Sequence, residues 1–160
     1  MMFLLEIFQD GFFAAIAAVG FSAIAHPPRA AYKYCALIAA VGHGIRFMLM
    51  EYGMHIIAAA FAASLSVGML AILFAPRVKC PPETFSFPSL LPMIPGIYAY
   101  RAVQALVLCL MQSEKVFFNH YLYLLAYNGL TATIIILGMV VGVTIPIFLF
   151  KRLSFSATKG

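Results

Sequence analysis

The chain has 160 residues, of which 64% are hydrophobic and only 9% are charged, and its mean hydropathy is +1.02. This composition excludes an ordinary soluble domain and predicts an all-α integral membrane protein. The net charge of +5 does not indicate nucleic-acid binding, because the basic residues lie in loops between apolar runs and not in one patch on a soluble face.

Five apolar segments of about 20 residues each predict five transmembrane helices in a single domain covering residues 1–160. Their approximate bounds are 5–25, 32–50, 54–75, 88–111 and 121–149. The first segment is interpreted as a retained helix and not as a signal peptide, because no Lys or Arg precedes it, Glu6 and Asp10 interrupt it, and four more spans follow. The longest connection, near 76–87, leaves no room for an extramembrane domain.

The fourth span is predicted to be broken between Pro92 and Gly96. A proline inside a helix removes a backbone donor and clashes with the preceding turn, and Pro92 and Pro95 both do so here. In hydrocarbon each freed carbonyl costs several kcal/mol unless protein, water or a solute satisfies it. A break of this kind inside a membrane span indicates a solute pathway.

Loop charges predict the orientation. With five spans, seven of the ten basic residues lie on one side of the membrane, and Lys115 is the one basic residue in the loops of the other side. The seven are Arg29, Lys33, Arg77, Lys79, Lys151, Arg152 and Lys159. The positive-inside rule therefore places the amino terminus outside and the carboxyl terminus in the cytoplasm.

Polar side chains from all five spans fall at comparable depths when the rise is counted as about 1.5 Å per residue. They are Asp10, His43, Arg46, Ser64, Arg101, Asn128 and Thr131. His43 and Arg46 share one helix face, and Tyr98 and Arg101 share another, because residues three apart are neighbours on a helix. This layer is a candidate site for a polar solute.

We interpret the layer as an anion site with Arg46 and Arg101 as its main ligands, because guanidinium groups bind carboxylates in a bidentate manner. The half-helix that starts near Pro95 and Gly96 would aim its amide groups and its dipole at the same carboxylate. The candidate substrate-binding residues are Arg46, Arg101, His43, Pro95, Gly96, Tyr98, Ser64 and Asn128. His43 and Asp10 are the candidates for proton coupling, since histidine titrates near physiological pH.

Each of these assignments has a structural alternative. Arg46 would also serve as an interfacial anchor that pairs with Glu51 or Asp10, and Arg101 as a member of a structural ion pair. His43 would also serve as a buried neutral histidine bonded to a neighbouring helix. The side chains of Asn128, Thr131 and Thr133 either line a path or hydrogen-bond across helices, and we favour the second role for Thr133.

Nothing in the sequence indicates enzyme chemistry. It has no Rossmann glycines, no P-loop, no zinc motif and no nucleophile elbow. Cys35, Cys80 and Cys109 lack metal-ligand or redox spacing and are interpreted as packing thiols. We therefore expect no enzyme activity, no cofactor and no metal.

Three stretches of the chain resemble the threonine/serine exporter family. They run from Cys35 through Gly42-His43-Gly44-Ile45-Arg46 to Met50, then Phe61-Ala62-Ala63-Ser64, then Pro92-Met93-Ile94-Pro95-Gly96-Ile97-Tyr98-Ala99-Tyr100. The residues that match the family pattern are Gly42, His43, Gly44, Arg46, Pro92, Pro95 and Gly96. Arg101 departs from it, because relatives of this type can carry an uncharged residue there.

Within that family the chain is most similar to the small five-helix subunit of the split, two-subunit form. The resemblance implies secondary, proton-motive-force-linked export of small carboxylate metabolites, either a succinate-like dicarboxylate or threonine and serine, across a bacterial inner membrane. It also implies a larger five-helix partner subunit with a cytosolic domain, and homo-oligomer assembly is a further arrangement. The alternative function is a non-transporting membrane subunit that assembles or stabilises a larger carrier.

Overall fold

The computed structural model describes residues 2–112 and 114–150, with side chains from Leu5 onward. This part of the chain is helical throughout and contains no strand, in agreement with the predicted all-α class. The helices are α1 (Met2–Ile24), α2 (Arg29–Glu51), α3 (Ile56–Val78), α4 (Glu83–Leu90), α5 (Gly96–Met111) and α6 (Lys115–Leu149), and a 3-10 turn (Leu91–Met93) follows α4.

Four of these helices are long and apolar enough to cross a membrane: α1 from Leu5 onward, α2, α3 and α6. The segments Glu83–Met93 and Gly96–Met111 make a fifth candidate span when they are joined across the break between them. The predicted interruption of the fourth span is therefore present in the structure, and the described residues contain four to five candidate spans.

The predicted connection near 76–87 is much shorter in the structure, because α3 continues to Val78 and α4 begins at Glu83. Pro76 lies in the last turns of α3, where its missing N–H removes a single helical hydrogen bond. The helix continues past it, and the Arg77 guanidinium donates to the Leu73 carbonyl at 3.3 Å. Pro82 precedes the first residue of α4, a position at the start of a helix that proline tolerates well.

The chain forms two compact units. Among the described residues, the first unit contains those up to Met93 and those from 138 to 150, and the second contains Ile94–Leu137.

Small residues bring the helices of the first unit close together. Ala14, Ala18 and Ala39 form one buried cluster between α1 and α2. At Gly68 on α3, an added Cβ would lie only 2.6 Å from the Val143 carbonyl oxygen on α6. The close approach of α3 to α6 therefore requires glycine at this position, and this agrees with the packing of small residues typical of membrane helices.

A buried polar cluster fixes α4 against α1 and α2. The Ser89 hydroxyl donates to the Cys35 carbonyl at 3.0 Å, and the Cys35 thiol lies 3.5 Å from the Ser22 hydroxyl. All three residues are fully buried. Because α4 leads directly into the 3-10 turn, this cluster helps to position the end of that turn beside α2.

In the second unit, α5 packs against the part of α6 that ends at Leu137. The buried residues of α5 are Ala102, Ala105 and Cys109, which recur on one stripe of the helix. Ala102 faces Gly129 of α6, and the Cys109 thiol lies 3.7 Å from the Phe118 carbonyl. Small side chains therefore set the spacing of this helix pair as well.

Candidate functional site

A carboxylate and an imidazole form a hydrogen-bonded pair between α1 and α2. The Asp10 Oδ2 atom lies 2.9 Å from the His43 Nδ1 atom. The His43 side chain is 7% exposed, whereas that of Asp10 is 34% exposed. The short Asp10 side chain reaches the ring because α1 and α2 approach closely beside it, where a Cβ on Gly11 would lie 3.3 Å from the Ala40 carbonyl oxygen.

The second nitrogen of the His43 ring has no comparable contact in the described part of the chain. Nε2 is buried and has no hydrogen-bond partner among the described atoms. The Pro92 carbonyl at the break also acts on the imidazole, but it does not meet the geometry of a hydrogen bond to Nε2. A buried polar nitrogen without a partner is costly, so this atom marks a position where a proton or a polar solute would be stabilised.

Arg46 reaches the break from the same face of α2. Its Nη1 atom donates to the Met93 carbonyl oxygen at 3.0 Å. Met93 is the last residue of the 3-10 turn, so its carbonyl lies at the end of a short helix and has no helical partner. The Asp10 charge also acts on the guanidinium. Arg46 therefore satisfies a backbone group that the break leaves free.

The break itself is a tight turn centred on Pro95. Pro95 has φ −75° and ψ 62°, and the Gly96 amide donates to the Ile94 carbonyl at 2.8 Å. These angles and this hydrogen bond define an inverse γ-turn. The Pro95 carbonyl then accepts from the amides of Tyr98 and Ala99, at 3.1 and 3.2 Å, and begins α5. Both residues of the predicted half-helix start thus lie at the break.

Arg101 lines a cavity of about 410 Å³ inside the second unit. The lining residues are Arg101, Gln104, Ala105, Leu108, Tyr121, Leu124, Tyr127 and Asn128. In the described part of the chain, the Arg101 guanidinium has neither an ion-pair nor a hydrogen-bond partner. A charge on a membrane-spanning helix requires a counter-group or water, so this cavity is a second polar position.

The other predicted polar residues bond to their own helices. The Ser64 hydroxyl donates to the Phe61 carbonyl at 2.7 Å, and the Asn128 amide donates to the Leu124 carbonyl at 2.7 Å. Thr131 likewise donates to the carbonyl four residues before it. Thr133 donates to the Gly129 carbonyl at 2.8 Å, so the prediction that it bonds across helices is wrong. A threonine hydroxyl on a helix often takes this local acceptor.

The predicted layer is therefore brought together in part. Within the first unit Asp10 pairs with His43, and Arg46 on the same helix reaches the end of the 3-10 turn; Arg101 and Asn128 share a cavity within the second unit. Tyr98 is half-buried near the start of α5.

Sequence reasoning missed four contributors to these sites. The Met93 carbonyl is the acceptor for Arg46, and no side-chain pattern marks a backbone atom. Gln104 lies three residues after Arg101, and that spacing alone would have placed it on the same face. Tyr121 and Tyr127 also line the Arg101 cavity from the neighbouring helix α6, and spacing along α5 gives no indication of them.

Comparison with known proteins agrees with the resemblance in the sequence. Residues 10–149 match the family described as Threonine/Serine exporter, ThrE. An uncharacterized protein of Haemophilus influenzae is 36% identical over 152 residues, which cover 94% of this chain and 50% of that protein. The chain thus spans about half the length of this curated relative. No solved structure matches the chain.

The family match covers most of the chain, and the helices provide four to five candidate spans. Both findings point to a multi-pass membrane protein of a transporter family. On this evidence the chain belongs to the threonine/serine exporter family.

Proposed function

We propose that the chain is a subunit of a secondary exporter that moves small carboxylate metabolites, succinate-like dicarboxylates or threonine and serine, out of a bacterial cell across the inner membrane. The observation that carries this proposal is the hydrogen bond from Arg46 to the Met93 carbonyl at the break, beside the Asp10–His43 pair. It supports an anion-binding group and a titratable pair that lie at the same interruption of a membrane span.

In this proposal the substrate carboxylate replaces the Met93 carbonyl as the acceptor for Arg46. A carboxylate offers two charged oxygens to the planar guanidinium, and such charge-assisted bonds are about twice as strong as bonds between neutral groups. Binding would therefore release the carbonyl at the end of the 3-10 turn. The remaining candidate ligands are Pro95, Gly96 and Tyr98 at the break, together with Ser64, Arg101 and Asn128.

Asp10 and His43 carry the proton in this proposal. The 2.9 Å contact lets one proton lie between the carboxylate and Nδ1. The unpartnered Nε2 gives the same ring a second site for a proton on its buried side. A ring with one nitrogen on the carboxylate and the other free is suited to pass protons between the two sides of the site.

We further propose that a larger five-helix subunit with a cytosolic domain completes the carrier. The resemblance to the split form of the family supports this arrangement. The alternative is that this chain only assembles or stabilises the larger subunit. The test measures metabolite release from cells that express the larger subunit alone, with this chain, or with variants of this chain that still assemble. A transport function predicts that variants of the candidate site lower release, whereas an assembly function predicts that they do not.

The proposed orientation has the amino terminus outside and the carboxyl terminus in the cytoplasm. The asymmetry of seven basic residues against one in the loops supports it. A reporter that is active only in the cytoplasm should therefore be active when fused after Lys159, and a reporter that is active only in the periplasm should be silent there. The reverse pattern would contradict the orientation.

The proton role is tested with Asp10→Asn, which keeps the size of the side chain and removes its charge. We expect the variant to lose most of the carboxylate efflux driven by a pH gradient in proteoliposomes that contain both subunits. It should keep exchange of labelled for unlabelled carboxylate at equal pH, because exchange requires binding but no net proton movement. His43→Gln should behave in the same way.

Glu6→Gln is the matched control, since Glu6 lies one turn earlier on α1 and is exposed. Efflux driven by the pH gradient at the wild-type rate in Asp10→Asn would contradict the coupling role. If every substitution at Asp10, His43 and Arg46 left release from cells unchanged while the chain remained necessary for it, the assembly function would be the correct one.

A further inference from the structure

Two basic side chains are joined by a pair of tilted aromatic rings in contact, where α2 begins and α3 ends. The Arg77 guanidinium carbon lies 5.2 Å from the centre of the Phe74 ring, and the Phe74 and Tyr34 ring centres are 4.8 Å apart. The Lys33 Nζ atom lies 5.1 Å from the centre of the Tyr34 ring. We call these four residues the cationic ladder. Contacts of this type hold a cation in a fixed position over a ring.

An apolar groove of about 240 Å³ lies next to the ladder on α3. It is lined by Met69, Ile72, Leu73, Pro76 and Phe150. Met69 and Leu73 are 52% and 57% exposed, so the groove opens outward. Arg77 follows Pro76 directly and donates to the Leu73 carbonyl, so its guanidinium stands at the end of the groove.

If α2 and α3 cross the membrane as their length and composition indicate, the ladder and the groove lie at one edge of it. The short connection between α2 and α3 makes these helices antiparallel, so the start of α2 lies beside the end of α3, as the contact of Tyr34 with Phe74 shows. Arg77 is in the last turn of α3. The groove occupies the two turns before it, which corresponds to the outer part of the hydrocarbon layer.

We propose that this surface is a binding site for an anionic phospholipid. The phosphodiester headgroup contacts Arg77 and Lys33, and an acyl chain lies in the groove between α3 and Phe150. A negative headgroup complements the two cations, and the apolar lining matches a hydrocarbon chain but no polar ligand. Two cations at opposite ends of the ladder favour a headgroup with two phosphates, as in cardiolipin.

This site is separate from the residues of the proposed transport site. Lipid binding at this surface therefore does not depend on whether the chain transports a carboxylate. Both cations are exposed, so their replacement should not disturb the core.

The test is titration of the purified full-length chain in neutral detergent with cardiolipin or phosphatidylcholine, followed by native mass spectrometry. We expect cardiolipin to bind more tightly than phosphatidylcholine. The double variant Lys33→Gln with Arg77→Gln should weaken cardiolipin binding by roughly tenfold or more and leave phosphatidylcholine binding unchanged. Arg77→Lys keeps the charge and should retain most of the affinity.

The matched control is the double variant Arg29→Gln with Lys79→Gln. It removes the same charge from exposed residues at the same ends of α2 and α3, but neither residue belongs to the ladder. Equal weakening by both double variants would overturn the proposal, because binding would then follow net charge alone. Displacement of bound cardiolipin by inorganic phosphate would also overturn it, since a free anion would then suffice without the groove.

Discussion

Replacing Arg46 with lysine is expected to abolish carboxylate efflux almost completely. Arg46 donates to the Met93 carbonyl at the break, and in the proposed cycle a substrate carboxylate takes the place of that carbonyl. Lysine keeps the positive charge but cannot reproduce the planar pair of donors. Loss of one charge-assisted hydrogen bond costs about 1.5–3 kcal/mol, roughly a tenfold to hundredfold loss of affinity.

The measurement is release of threonine, serine and succinate from cells that express this chain and the proposed larger subunit at matched levels. Arg101→Lys should lose efflux only in part, because Arg101 lines a cavity of the second unit and donates to no backbone carbonyl among the described residues. Arg29→Lys, at the exposed start of α2, is the control and should release metabolites at the wild-type rate. Wild-type efflux from Arg46→Lys would instead assign Arg46 to a purely structural role at the break.

Replacing Pro95 and Gly96 together with alanine is expected to abolish export while leaving insertion into the membrane intact. Alanine is favoured over proline by about 3 kcal/mol and over glycine by about 1 kcal/mol in a helix interior. The Pro95→Ala exchange restores a backbone amide that can donate to a preceding carbonyl, and a Cβ added at Gly96 meets nothing within 4 Å. The inverse γ-turn should therefore give way to a continuous helix.

A continuous helix would take up the carbonyl groups that the break leaves free, including the acceptor of Arg46. The control is Pro81→Ala with Gly20→Ala, which makes the same two exchanges away from the break. Both double variants should reach wild-type levels in the membrane fraction. Full export from the Pro95→Ala, Gly96→Ala variant at normal abundance would remove the broken helix from the mechanism.

The break in the fourth span could be predicted from local sequence, whereas the ends of the neighbouring helices could not. Two prolines and a glycine within five residues are incompatible with a continuous helix, so the interruption follows from the backbone chemistry of those residues alone. The bounds of the neighbouring helices did not follow. Pro76 lies near the end of α3, where it removes a single hydrogen bond, and the packing of α3 and α4 decides that both helices extend further than their apolar stretches.

Residue spacing predicted the part of the candidate site that lies along a single helix. The separation of three residues placed His43 and Arg46 on one face, and α2 presents both to the break. The predicted partners of Arg46 were a substrate carboxylate or, alternatively, the acidic side chains of Glu51 or Asp10, yet its acceptor in the structure is a main-chain carbonyl. The amino-acid sequence does not show which carbonyl groups lack a helical partner. That depends on where a helix ends inside the folded protein.

By itself the sequence determined the class, the number of apolar segments, the broken span and the residue types able to bind an anion or carry a proton, because these properties depend on composition and local backbone chemistry. Only the tertiary structure decided that Asp10 pairs with His43, 33 residues away, and that the cationic ladder joins α2 to α3. Contacts between helices depend on how closely small residues such as Gly11 and Gly68 let the backbones approach, and that distance arises from packing.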